Sequence, residues 1–304
     1  ENNTLDIFSL LTFCNPGIFG TLKSFRDHFA YPIDKFQDSQ RARELQQKIQ
    51  PYLLRRTKKQ VAKELPEKTE MVIYCEMDHE QKRVYDVYKE ELRNYLLKKR
   101  VLDDGENSLH VLQALTKLRQ ICNSPALLND RGVSYGEQSA KIAVLLEQIE
   151  EKIGEHKILV FSQFVSMLDL VKTALTERGI TFSYLTGQTK NRQEAVEAFQ
   201  NDSSKRVFLI SLKAGGMGLN LTEADYVYLI DPWWNPAVEN QAIDRAYRIG
   251  QTKNVVAIRL ITPNTIEENI QLLQARKHDL VADLVHTDTS LLKKLSKKEL
   301  MDLL

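Results

Sequence analysis

KILVFSQF, residues 157–164, opens on a continuous apolar run, Ile158 to Phe161, closed by Ser162. Such a run has no polar face, so it suits a short strand covered on both sides. The period then changes. Val165–Arg178 carries apolar residues at helical spacing and predicts a helix. The alternation continues with a strand over Ile180–Leu185, a helix over Arg192–Gln200 and a strand over Arg206–Ile210. After a glycine-rich loop come a strand over Tyr226–Ile230, a helix over 241–251, a strand over Val255–Ile261 and a helix over Ile266–Leu284. Short strands alternating with helices imply βαβ units around a mostly parallel sheet. In such sheets ligands gather beyond the carboxyl ends of the strands.

Upstream of about Ser139 the chain reads as mostly helical. LDIFSLLTF has an apolar face and is stopped by Asn15-Pro16-Gly17. TLKSFRDHF predicts a second helix, closed before Pro32, and RARELQQKI a third. Pro51 is expected to open a helix over PYLLRRTKKQVAKEL, with Leu53, Leu54, Val61 and Leu65 on its buried side. MVIYCEM, Met71–Met77, is short and β-prone and predicts a strand. A long amphipathic helix starts at His79, and LHVLQALTKLRQIC makes another.

The 304 residues suggest about two domains. With 42% apolar and 27% charged residues the composition is that of a globular protein. Net charge is +1, which by itself points to neither nucleic acid nor membrane. The distribution is more telling, because residues 41–70 hold nine basic and four acidic side chains, a local excess of five. A patch of this kind gathers phosphates, and equally serves as a solvated helix face. Three cysteines without CxxC spacing fit a reducing, intracellular setting. No apolar run approaches the ~18 residues that span a bilayer, and ENNTLDIFSL lacks the pattern of a signal peptide. The N-terminus is not a clean domain start, as expected of a fragment.

Three segments fall at the carboxyl ends of expected strands: Ser162–Phe164, the TGQT of 186–189, and SLKAGGMGLNLT of 211–222. Gly215, Gly216 and Gly218 allow a close backbone approach, to a phosphate or simply within a tight turn. A dinucleotide fingerprint is excluded, because Leu221 stands where the third glycine belongs. DPWWNP, 231–236, sets two tryptophans in a turn, one suited to anchoring it in the core and the other to stacking on a base or sugar. Asp231 is expected to orient neighbouring backbone. In QAIDRAYRIGQ, 241–251, helical spacing would align Gln241, Arg245 and Arg248 on one face, and Ile243, Ala246 and Ile249 on a face that packs inward. Two guanidiniums with one nearby acid suit an anion, since their planar forks grip phosphate oxygens. Six scattered histidines predict no metal site. No G-x-x-x-x-G-K-[ST] occurs, so the chain has arginines for phosphate charge but not the loop that cradles a nucleotide.

KILVFSQF, YLTGQT, SLKAGGMGLNLTEADYVYLIDPWWNP and QAIDRAYRIGQ, in this order, resemble the second-lobe motifs of Swi/Snf-type ATPases of helicase superfamily two. LTFCNPGIFG, PYLLRRTKKQVAKELPEK and LTKLRQICNSPALL extend the resemblance through nearly the whole chain. It implies an α/β fold, a RecA-like mostly parallel sheet flanked by helices and preceded by a mostly helical region. Residues 1–70 would be the end of a first motor lobe and a basic helical linker, 71–136 a helical insertion, and 137–304 the second RecA-like lobe with its C-terminal helix. The resemblance implies that Arg245 and Arg248 are arginine fingers, with Gln241, Gly218 and Asn220 as further ATP contacts. Ser162, Gln163, Thr186, Gly187, Ser211, Lys213 and Trp233 would touch DNA, as would Arg55, Arg56 and Lys58 of the linker. ATP with Mg2+ would be held mainly by the first lobe, so this chain alone would not turn over. Expected partners are duplex DNA, the N-terminal ATPase lobe of the same protein and DNA-bound proteins, with no membrane. The setting would be cytoplasm or nucleoid in a bacterium and nucleus in a eukaryote. The competing expectation is a non-catalytic nucleic-acid or protein binding module.

Overall fold

The computed structural model describes residues 4–36, 38–54, 56, 58–62, 64–98, 105–128, 135–136, 139–215, 218–278 and 297–304. Two compact units divide the chain near residue 63.

The first unit is helical and is built around four phenylalanines. Phe25 lies with its ring centroid 4.8 Å from Phe19, 5.1 Å from Phe8 and 5.6 Å from Phe29. Leu11, Ile33, Leu45 and Ile49 complete this core. Helix Thr4–Cys14 ends at the expected turn, where Gly17 takes a φ of 90°. Helix Ser39–Ile49 is capped by Asp38, which accepts from the amides of Gln40 and Arg41 at 3.0 Å. Two expectations fail here. Pro32 does not close the second helix, because a five-residue π-turn, Arg26–Ala30, widens the ladder just before it and Pro32 becomes the second residue of helix Tyr31–Phe36, where a missing N–H costs little. The helix expected after Pro51 is only a 3₁₀ turn, Gln50–Tyr52, followed by extended backbone at Leu53 and a single turn at Lys58–Val61. Without a continuous helix there is no shared buried face, and Leu53, Leu54 and Val61 are exposed.

The second unit is a three-layer α/β sandwich. Its six strands are β1 Lys68–Tyr74, β2 Ile158–Ser162, β3 Phe182–Leu185, β4 Val207–Ser211, β5 Tyr226–Leu229 and β6 Val255–Ile261. They form one sheet in the order β1-β6-β5-β2-β4-β3, and every pair is parallel. The apolar run at 158–161 is covered on both faces, as its composition demanded. Ile158 and Val160 face a core shared with helices Ala140–Lys152 and Val165–Glu177. Leu159 and Phe161 face the opposite core, shared with helices Arg192–Asn201 and Pro236–Ile243. The strand expected at Met71–Met77 lies three residues earlier and is an edge strand of this sheet, in register with β6 from Lys68↔Val255 to Tyr74↔Ile261. The α/β unit therefore reaches back before the helical segment.

Helices His79–Lys98 and Gly105–Asn123 are tied to each other and to the sandwich by buried polar groups. Gln81 donates to the carbonyls of Ile121 and Cys122 at 2.7 and 3.2 Å, and the amide of Ile266 donates to the Tyr85 hydroxyl at 2.8 Å. At the centre Lys141 and Glu267, neither exposed at all, form an ion pair at 2.6 Å. Among the described residues no helix is long and apolar enough to cross a membrane.

Candidate functional site

The parallel arrangement brings the carboxyl ends of β3, β4, β2 and β5 into one row. Ser162 and Ser211 are direct partners in the register, and Leu185 and Ile210 pair one residue before Thr186 and Ser211. Four sequence-distant motifs thus share one edge of the sheet.

The hydroxyls on this edge face inward. Ser162 is fully buried; its Oγ donates to Asp231 and accepts from the Phe164 amide at 3.1 Å. Asp231 Oδ2 also accepts from the Gln163 amide at 3.2 Å, so this aspartate orients backbone, as expected. Thr186 is buried in a turn closed on itself, its amide donating to Thr189 Oγ1 at 2.9 Å. Ser211 is buried and accepts from the Ala214 amide at 3.4 Å. Gly187, at the tip of its turn, and the side chain of Lys213 face outward. Gln163 is half-buried, and its Nε2 has no hydrogen-bond partner.

The loop after β5 is clamped from several sides. Trp234 is buried and anchors it, and Trp233 is half-buried. The Trp233 amide donates to Glu239 Oε1 at 2.8 Å, and its carbonyl accepts from Gln274. Glu239, 1% exposed, accepts in turn from Arg259 Nε at 2.8 Å, and Arg259 reaches Glu70 on β1 at 2.9 Å. Motif spacing could not reveal Glu239, Arg259 and Gln274, because their partners are remote in sequence. Their only local sign is that Arg259 interrupts an otherwise apolar strand.

QAIDRAYRIGQ is not one helix. Helix Pro236–Ile243 includes Gln241, which is exposed, and stops there. The Arg245 carbonyl accepts from the Leu221 amide at 3.0 Å, and the Ala246 carbonyl from Gln251 Nε2 at 3.1 Å. These partners take the acceptors that a continuing helix would use, so the chain proceeds in tight turns. Ile249 consequently points outward and is 67% exposed, while Ile243 and Ala246 are fully buried. The same contacts fasten the glycine loop to the arginine turn. Arg248 Nη1 donates at 3.4 Å to the carbonyls of Gly218 and Leu219, and Gly218 holds a φ of 64°. Asn220 is exposed beside it. Arg245 is half-buried with its Nε unbonded; burial and then the neighbouring Arg248 lower its pKa, against a weaker opposing pull from Asp244. Two cations held this close, with one donor unsatisfied, suit an incoming anion.

Of the basic linker, Arg55 lies outside the described residues, Arg56 is exposed, and Lys58 is half-buried at the start of its single helical turn. Gly216 also lies outside the described residues. Among the described residues no group of three or more His, Cys, Asp or Glu side chains is placed to hold a metal ion.

Residues 1–127 match the SNF2-related domain and residues 140–250 the helicase conserved C-terminal domain. The whole chain is 38% identical to an uncharacterized ATP-dependent helicase of Mycoplasma genitalium, of which it spans 29%. It is 35% identical to the Sulfolobus solfataricus SWI2/SNF2 ATPase core solved in complex with dsDNA, with a TM-score of 0.67 over 99% of this chain and 64% of that one. The C-terminal domain of the Sulfolobus solfataricus ATPase is similar over 98% of its own length and 78% of this chain, at 33% identity and a TM-score of 0.64. With that coverage, and with the motifs gathered on one sheet edge, the chain belongs to the Swi/Snf-type ATPases of helicase superfamily two.

Proposed function

We propose that this chain supplies the second motor lobe of a DNA-dependent ATPase that tracks along duplex DNA. In this role residues 1–70 end a first lobe and link it onward, 71–136 form the helical insertion, and 137–304 form the second lobe, with β1, Lys68–Tyr74, crossing the first of these boundaries to join the sheet. The observation that carries it is the joining of the glycine loop to the arginine turn, with Arg248 on the Gly218 and Leu219 carbonyls beside an incompletely bonded Arg245. A phosphate chain delivered by the first lobe would meet Arg245 and Arg248, while Gly218, Asn220 and Gln241 bind alongside. Arg248's long hydrogen bonds to neutral carbonyls are readily exchanged for charge-assisted bonds to phosphate oxygens. Magnesium, held by the first lobe, would neutralise charge on those oxygens. The two guanidiniums stabilise charge as it develops on the transferring phosphoryl group, a contribution on the order of 10³–10⁵ in rate for an arginine finger.

DNA would lie along the strand-end row. Gly187, Gln163 and the Lys213 ammonium offer contacts to one strand and Trp233 a stacking surface; Arg55, Arg56 and Lys58 of the linker are proposed separately as DNA contacts. Ser162, Thr186 and Ser211 hold these loops in shape from inside. The C-terminal Sulfolobus neighbour and the DNA-bound core support this assignment by likeness. Alone, the chain would not hydrolyse ATP. In the full-length protein Arg248→Ala should abolish DNA-stimulated ATPase activity while leaving duplex binding nearly intact; retained turnover would remove the finger role.

A further inference from the structure

Arg119 lies on helix Gly105–Asn123, outside every motif assigned to the nucleotide or to DNA, and is only 4% exposed. Its Nη2 donates to the carbonyl of Pro232, in the loop after β5. Its Cζ stands 5.3 Å from the Trp234 ring centroid and 5.9 Å from that of Phe164, both within cation–π range. Phe164 directly follows Gln163 in the turn after β2, and Trp234 directly follows Trp233 in the loop after β5. The two strands are neighbours in the sheet. One planar cation therefore joins two adjacent turns of the strand-end edge to the helical segment.

We infer that Arg119 is a positioning residue. It fixes the turn carrying Gln163 and the loop carrying Trp233 at one spacing, so the grip on duplex DNA depends on the helical segment before the sheet. The inference rests on the proposed DNA-tracking role. Lysine cannot take its place, because a compact ammonium cannot face two rings and reach a carbonyl with a rigid planar fork.

The test is the duplex concentration giving half-maximal ATPase stimulation in the full-length protein. Arg119→Lys should raise it about tenfold, and Phe164→Leu should raise it less. Arg119→Lys combined with Gln163→Ala should give a smaller change than the product of the two, since both act on one contact. A fall in melting temperature with an unchanged half-saturating concentration would overturn the inference, as would fully multiplicative effects. If Arg119→Lys fails to fold by far-UV circular dichroism, Phe164→Leu decides by the same criterion. Lys213→Ala separates the two levels: a rise there but not for Arg119→Lys sinks the positioning role alone, and a rise in neither sinks the DNA-tracking role with it.

Discussion

Replacing Lys141 by methionine should destabilise the second unit strongly. The ammonium has no exposure and meets oxygens from three segments: Asn123 Oδ1 at 3.1 Å, the Ile230 carbonyl at 2.7 Å and Glu267 Oε1 at 2.7 Å. Glu267 Oε2 accepts in addition from the Thr262 amide at 3.1 Å. This pair joins the end of helix 105–123, the end of β5 and the start of helix 266–278. Methionine fills much of the same volume but leaves the Glu267 carboxylate buried without its cation. Breaking a buried pair from one side costs about 3–5 kcal/mol. For a unit of this size that corresponds to a melting temperature lower by roughly 6–20 °C. The double change Lys141→Met with Glu267→Leu removes both charges and should recover most of the loss, because the desolvation penalty disappears with the pair. Urea denaturation of wild type, both single variants and the double variant closes the cycle. A loss below about 1 kcal/mol for Lys141→Met, or a double variant as unstable as the sum of the singles, would refute the reasoning.

Three other perturbations test neighbouring parts of the structure. Burial pushes the Glu70 carboxyl up, but hydrogen bonds from Lys68 and Arg259 outweigh it and hold its pKa below the ordinary 4.5. The stability it confers is therefore complete at neutral pH and is lost as pH falls from the ordinary carboxylate range through the depressed value, and Glu70→Gln should flatten the acid limb of a urea-midpoint profile. Glu239→Ala strands the Trp233 amide and takes one of Arg259's two carboxylate partners, leaving only Glu70, and should cost about 3 kcal/mol in equilibrium unfolding, whereas Arg259→Ala with Glu239→Ala should cost less than the two single losses together. Gly218→Val forces a branched residue to a φ of 64°; it should lower stability by about 1–2 kcal/mol and weaken nucleotide binding in the full-length protein, measured by titration with a fluorescent ATP analogue.

The sheet was legible because its signal is local. Runs such as Ile158–Phe161 and Val207–Ile210 are apolar without a break, and each is followed by residues at helical spacing. The strand ends then placed Gln163, Gly187 and Lys213 on one edge with no further information. What could not be read depends on partners remote in sequence. The pattern of 241–251 is helical, yet the Leu221 amide takes the Arg245 carbonyl and the helix ends at Ile243. Pro32 looked like a stop until the π-turn before it shifted the ladder. Leu53, Leu54 and Val61 have the right spacing for a buried face, but the backbone between them is not continuously helical. Arg119 and Glu239 look like ordinary surface charges on amphipathic helices until the β5 loop folds against them.

The central claim is that Arg245 and Arg248 act on a nucleotide which the first lobe delivers. Single-turnover hydrolysis by the full-length protein, at saturating ATP and duplex DNA, tests it most directly. Arg245→Ala and Arg248→Ala should each slow the chemical step on the order of 10³-fold or more, while ATP affinity changes by less than about tenfold. An unchanged single-turnover rate in both variants would contradict the account.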